Sequence, residues 1–112
     1  MVVELHQEQD LEQLLERSHK VPVVIFKHST QCSRSAAAWE EFQSFVDDHP
    51  GTPCGTVMVI EDRPLSNTLE DRFGIRHESP QAIVVSKGNP VWFANHWKVT
   101  AQALEDAVAS HA

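Results

Sequence analysis

The chain is short of cysteine, of positive charge and of long apolar runs, and each shortage removes a class of protein. Two cysteines in 112 residues, Cys32 and Cys54, are too few for a disulfide scaffold. Any importance they have must lie in reactivity. Nine Lys and Arg stand against sixteen Asp and Glu, a net charge of −7. A nucleic-acid surface needs clustered cations to displace counterions, so no nucleic-acid partner is expected. The same deficit discourages binding to anionic membranes. No apolar stretch approaches the roughly 20 residues that span a bilayer. The opening Met1-Val2-Val3-Glu4-Leu5 lacks the basic region and long apolar run of a secretory signal. A cytoplasmic location follows as the expectation, and with it reduced thiols.

Hydrophobic residues, at 41%, suffice for one core, and no repeat, low-complexity segment or linker interrupts the chain. Residues 2–5 read as an edge strand. From Asp10 to about Ser18, leucines 11, 14 and 15 share one helical face. Val23-Val24-Ile25-Phe26 is a continuous apolar run, the pattern of a strand covered on both faces. A polar turn leads to a helix from about Ser33 to Asp48, with Ala36, Trp39, Phe42, Phe45 and Val46 as its apolar positions. Residues 56–60 form another strand, and Leu65 to Phe73 a helix closed by Gly74. Gln81 to Ser86 and Pro90 to Asn95 are strands joined by Lys87-Gly88-Asn89. Thr100 caps a final helix. The order β-α-β-α-β-α-β-β-α implies parallel crossovers and one antiparallel hairpin. The fold expected is α/β and thioredoxin-like: a four- to five-stranded mixed sheet flanked by helices, one domain over residues 1–112.

Cys32 falls where a buried strand ends and a helix begins. Unpaired N–H groups and the helix dipole favour a thiolate there, lowering its pKa. Lys27 and Arg34 are near enough in sequence to add favourable charge. The competing reading is a small apolar filler, common for cysteines, but Ser29, Thr30, Gln31 and Ser33 make its surroundings polar. In Cys32-Ser33-Arg34-Ser35 a serine replaces the second cysteine of a dithiol motif. Its hydroxyl can hydrogen-bond a thiolate but cannot resolve a mixed disulfide, so a monothiol is expected. Cys54 precedes its strand whereas Cys32 follows one. Parallel strands would separate the two by roughly 17–20 Å, against the about 7 Å between Cα atoms that a disulfide tolerates. No pairing within the molecule is expected.

Ser79-Pro80 comes just before a strand. Most X-Pro bonds are trans, but the position relative to Cys32 also admits the cis proline that thioredoxin-like folds set beside the active thiol. The residue before it then offers its backbone to an extended substrate.

Three segments together, Phe26-Lys27-His28-Ser29-Thr30-Gln31-Cys32-x-x-Ser35, Gly74-Ile75-Arg76-His77-Glu78-Ser79-Pro80-Gln81 and His96-Trp97, make the chain resemble the monothiol bacilliredoxins of the thioredoxin-like superfamily. The resemblance implies removal of bacillithiol, or a similar low-molecular-weight thiol, from mixed disulfides on client proteins. Cys32 matches the family nucleophile, Ser35 the position without a resolving thiol, and Ser79 and Pro80 the segment facing the thiol. One departure is Ser33-Arg34, where the family commonly has Pro-Ile. The small thiol would be a co-substrate, and no bound cofactor is implied.

Two other classes stay open: a monothiol-glutaredoxin-like iron–sulfur scaffold, although the glycine after its cysteine is missing, and a redox-inactive adaptor. Seven histidines raise a metal site, but none has the close spacing of known zinc ligands, so none is expected. His28 and Thr30 are supporting residues beside the thiol, and His28 is either a tuning acid–base group or a structural strand end. Trp97 is expected to cover the sheet edge.

Overall fold

The computed structural model describes residues 2–30 and 33–112. The elements are β1 (Val2–Glu4), α1 (Glu8–Arg17), β2 (Val23–His28), α2 (Ser33–Asp48), β3 (Cys54–Met58), α3 (Arg63–Phe73), β4 (Gln81–Ser86), β5 (Asn89–Asn95) and α4 (Ala101–Ser110), with a 3-10 turn at His96–Lys98. The sheet runs β1-β3-β2-β4-β5. β3 is parallel to both β1 and β2, while β4 is antiparallel to β2 and β5.

Alternation along the central strands divides the core into two layers. Val24 and Phe26 of β2 join Ala82 and Val84 of β4 under Phe42 and Phe45 of α2 and Leu104 of α4. Val23 and Ile25 join Ile83 and Val85 under Leu11, Leu14 and Leu15 of α1 and Leu65 and Leu69 of α3. Burial on both faces explains why β2 and β4 carry apolar runs and not alternating patterns.

Several boundaries differ from the sequence reading, each for a local reason. α1 begins at Glu8, before Asp10. The Asp10 carboxylate accepts from the His6 and Gln7 N–H groups and so works as the third residue of a capping box. β3 begins at Cys54 and ends at Met58. Beyond it the chain turns, Asp62 N–H reaching the Met58 carbonyl, and leaves Ile60 exposed despite its apolar neighbours. α3 starts two residues early at Arg63, with Pro64 in its first turn, where the missing N–H costs nothing. The hairpin loop is only Lys87-Gly88, both at positive φ (54° and 80°), so Asn89 already belongs to β5. Pro90 is tolerated because β5 is an edge strand. On α2 the buried line is Ser35, Ala38, Phe42 and Phe45, and Ala36 faces solvent. Gly74 closes α3 at φ 66°, and Thr100 caps α4 by accepting from Ala103 N–H at 3.1 Å.

Candidate functional site

β2 delivers the chain to the site. It carries Lys27 and His28 beyond the apolar run that marks it in the sequence, two residues further than expected. Gln31 and Cys32 lie outside the described residues, and Ser33, next in the chain, opens α2.

His28 is half-buried. Its ring stacks on Trp39 (4.7 Å between centroids) and on Phe26 (5.3 Å), and its carbonyl accepts from Val59 N–H. Burial lowers its pKa, with the Glu61 carboxylate opposing weakly, so the ring is neutral at pH 7 and packs as an aromatic. Thr30 is exposed. Ser35 is fully buried and its Oγ accepts from Ser29 N–H at 3.0 Å, fastening the turn to the first turn of α2. The hydroxyl proton is left to be donated elsewhere.

The second wall comes from the segment before β4. Lys27 pairs with Gln81 in the antiparallel register, which carries Ser79 and Pro80 alongside the end of β2. The Ser79–Pro80 peptide bond is cis. Pro80 is buried, and its carbonyl accepts from His96 N–H at 2.8 Å. The Ser79 hydroxyl is shielded from solvent and has no partner among the described residues. Such groups are few in folded proteins and call for an explanation. His96 stands at φ 54° and its Nε2 lies 3.0 Å from Glu78 Oε1, closing the same loop onto the end of β5. Trp97, next to it, is 67% exposed. It does not cover the sheet edge, because the 3-10 turn swings it outward.

Sequence reasoning missed the residues that hold this wall. Gln81 is completely buried; its Nε2 donates to the Arg76 carbonyl (3.0 Å) and to Asn95 Oδ1 (2.9 Å), while its Oε1 accepts from Lys27 Nζ (3.2 Å). Glu70 on α3 accepts from His77 N–H at 2.8 Å. The available signal was a lysine and a glutamine, each abutting an otherwise apolar strand. Lys27 is no surface cation near the thiol motif: it is fully buried, and loss of hydration pulls its pKa down to about 8 against the attraction of Glu70 and Glu78.

The other cysteine is elsewhere. Cys54 registers with Val24 at the start of β2, the far end from His28, and is a free buried thiol that donates to the Thr52 carbonyl. Burial pushes its pKa up to about 12, which makes it inert at neutral pH. Among the described residues no cluster of His, Cys, Asp or Glu could hold a metal ion, and no helix is long and apolar enough to cross a membrane.

The serine–cis-proline segment thus lies alongside the end of the strand that leads, in sequence, into the Cys-x-x-Ser motif. The family model described as Monothiol bacilliredoxin BrxC matches residues 3–104. The chain belongs to the monothiol bacilliredoxin family. Among solved structures, a protein described as a candidate oxidoreductase with a thioredoxin fold superposes with TM-score 0.87 at 28% identity, over 95% of this chain and 92% of that one. Fasciola hepatica thioredoxin gives 0.81 at 15% identity with both chains fully covered. Reduced Schistosoma mansoni thioredoxin gives 0.79 at 20%, over 99% and 98%. The last two bear on fold alone. Bacilliredoxin membership and the oxidoreductase neighbour carry a thiol redox function for this chain.

Proposed function

We propose that this bacilliredoxin removes a low-molecular-weight thiol of the bacillithiol type from mixed disulfides on client proteins. The observation that carries the reading is the cis Ser79–Pro80 segment alongside the end of β2, the strand that leads to Cys32 in the chain. In the reaction the Cys32 thiolate attacks the small-thiol sulfur of a client–S–S–R disulfide. The S–S bond of the mixed disulfide breaks, the client thiolate leaves and takes up a proton, and a Cys32–S–S–R disulfide forms. No net oxidation occurs. A second thiol later attacks Cys32–S–S–R to regenerate the thiolate.

Each remaining part has a task in this scheme. The α2 N-terminus stabilises the thiolate, and Ser35 has a proton to donate towards it. Serine in place of a second cysteine leaves the Cys32 adduct to be resolved from outside. Ser79, just before the cis proline, offers its backbone to an extended client. Clients in the reducing cytoplasm suit the reading, and neither nucleic acid nor membrane is part of it.

The test is intact-mass detection after mixing reduced protein with a bacillithiol-modified peptide. Free peptide thiol should appear together with one small-thiol adduct on Cys32, and Cys32→Ser should give neither. Peptide released at the uncatalysed rate would refute the reading. Release surviving in Cys32→Ser would take the reaction away from Cys32, and a redox-inactive adaptor would release nothing in either protein.

A further inference from the structure

Lysine is almost never fully buried unless it is paired, yet Lys27 is buried with Glu70 and Glu78 acting only from beyond ion-pair distance among the described residues. Its observed hydrogen-bond partner is neutral, Gln81 Oε1. Burying an ammonium this way is costly, and an apolar side chain of the same length would fill the space more cheaply. The lysine is therefore better explained by what its bond organises. Gln81 is a three-way bridge between β2, the Arg76 carbonyl before Pro80, and Asn95 at the end of β5. A primary amide has one acceptor oxygen and one donor nitrogen. A cation on the oxygen fixes which end faces which partner, and so sends both N–H bonds to Arg76 and Asn95.

We propose that Lys27 is a positioning residue for the client groove: its ammonium orients the Gln81 amide, which holds the loop carrying Ser79 and Pro80 in the geometry that receives an extended client. This rests on the reading of that loop as the client-binding edge. The groups that act on Lys27 are Glu70 from α3 and Glu78 from the loop, both favouring its charge, while His77 on the same loop is kept neutral by burial and by Lys27 itself. β3 presents Val57 and β4 presents Gln81 opposite it, so neither adds charge. Deprotonation near pH 8 leaves a neutral amine whose hydrogen bond to Gln81 is weaker than a charge-assisted one. Groove order then becomes pH-dependent separately from the thiol's own titration.

The experiment compares two disulfides from pH 6.5 to 9.5: a peptide mixed disulfide, which needs the groove, and 2,2′-dithiodipyridine, which does not. Dividing one rate constant by the other removes the thiolate titration common to both. In the wild-type protein the ratio should fall about 3- to 10-fold with a midpoint near pH 8. Lys27→Met should start at the low value and show no inflection, and Lys27→Arg, which keeps the charge, should restore the high value without one. NMR of the wild-type Gln81 side-chain amide provides a readout that needs neither variant to fold nor Cys32 to react. Its resonances should move with the same midpoint. A Gln81 amide unmoved between pH 7 and 9.5 overturns the proposal, as does a Lys27→Met ratio that follows the wild-type curve. Exchange with neither disulfide would refute the function reading instead, while an amide titrating near pH 8 would still uphold the Lys27–Gln81 coupling.

Discussion

Raising the pH above neutral should first stabilise this fold and then weaken it, because two buried titratable groups among the described residues, Lys27 and Cys54, act in opposite senses. Lys27 titrates near 8 when folded against an ordinary 10.5, so between those values the unfolded chain binds the extra proton and stability climbs with pH. Cys54 titrates near 12 when folded against an ordinary 9, so above pH 9 the unfolded chain has lost a proton that the native state keeps, and stability falls. At about 1.4 kcal/mol per pKa unit, Lys27 alone adds roughly 3 kcal/mol between pH 7 and 11. With Cys54 opposing it, the net gain peaks at about 1 kcal/mol near pH 9.5–10 and is gone by about pH 12. The assay is urea unfolding followed by tryptophan fluorescence at each pH, in a Cys32→Ser background so that the site thiol does not titrate. The absence of tyrosine keeps another group out of the window. In Cys54→Ala the rise should continue past pH 10, and in Lys27→Met only the fall should remain. A flat profile through pH 8–9 in Cys54→Ala would refute the claim that Lys27 is buried as a cation.

Two further outcomes follow from the packing. A Cβ on Gly55 would lie 2.7 Å from Leu5 Cδ1 and 2.8 Å from Leu14 Cδ2, so Gly55→Ala should cost about 1–3 kcal/mol by overpacking, a Tm drop of roughly 4–12 °C. In native protein at pH 7 an alkylating agent should leave Cys54 unlabelled while it labels Cys32, and denaturation should expose Cys54. Rapid native labelling at Cys54 would contradict its burial.

Elements with a strong period or a breaker at each end were legible in the sequence. The leucine face of α1, the apolar runs of β2 and β4, Gly74 after α3 and the Thr100 cap all appear where residue chemistry puts them. Boundaries shifted where a polar residue served a neighbour's backbone, as Asp10 does for His6 and Gln7, or where an apolar residue outlived its strand, as Ile60 does. Of the candidate site, the motif and the proline segment could be picked out; what braces them could not. A lysine at a strand end and a glutamine at a strand start, 54 positions apart, give no local sign of a shared bond.

Local chemistry in the sequence was thus enough for the β-α-β-α-β-α-β-β-α order, the monothiol motif and the acidic balance, since periodicity, caps and residue type are properties of neighbours in the chain. Tertiary structure alone decided that Lys27 is buried against Gln81, that Cys54 is fully buried, that Trp97 faces solvent and that the Ser79 hydroxyl has no partner among the described residues. Each of those outcomes depends on solvation and on distance between residues remote in sequence. Both quantities come into existence only when β2, β4 and β5 pair and the helices close over them.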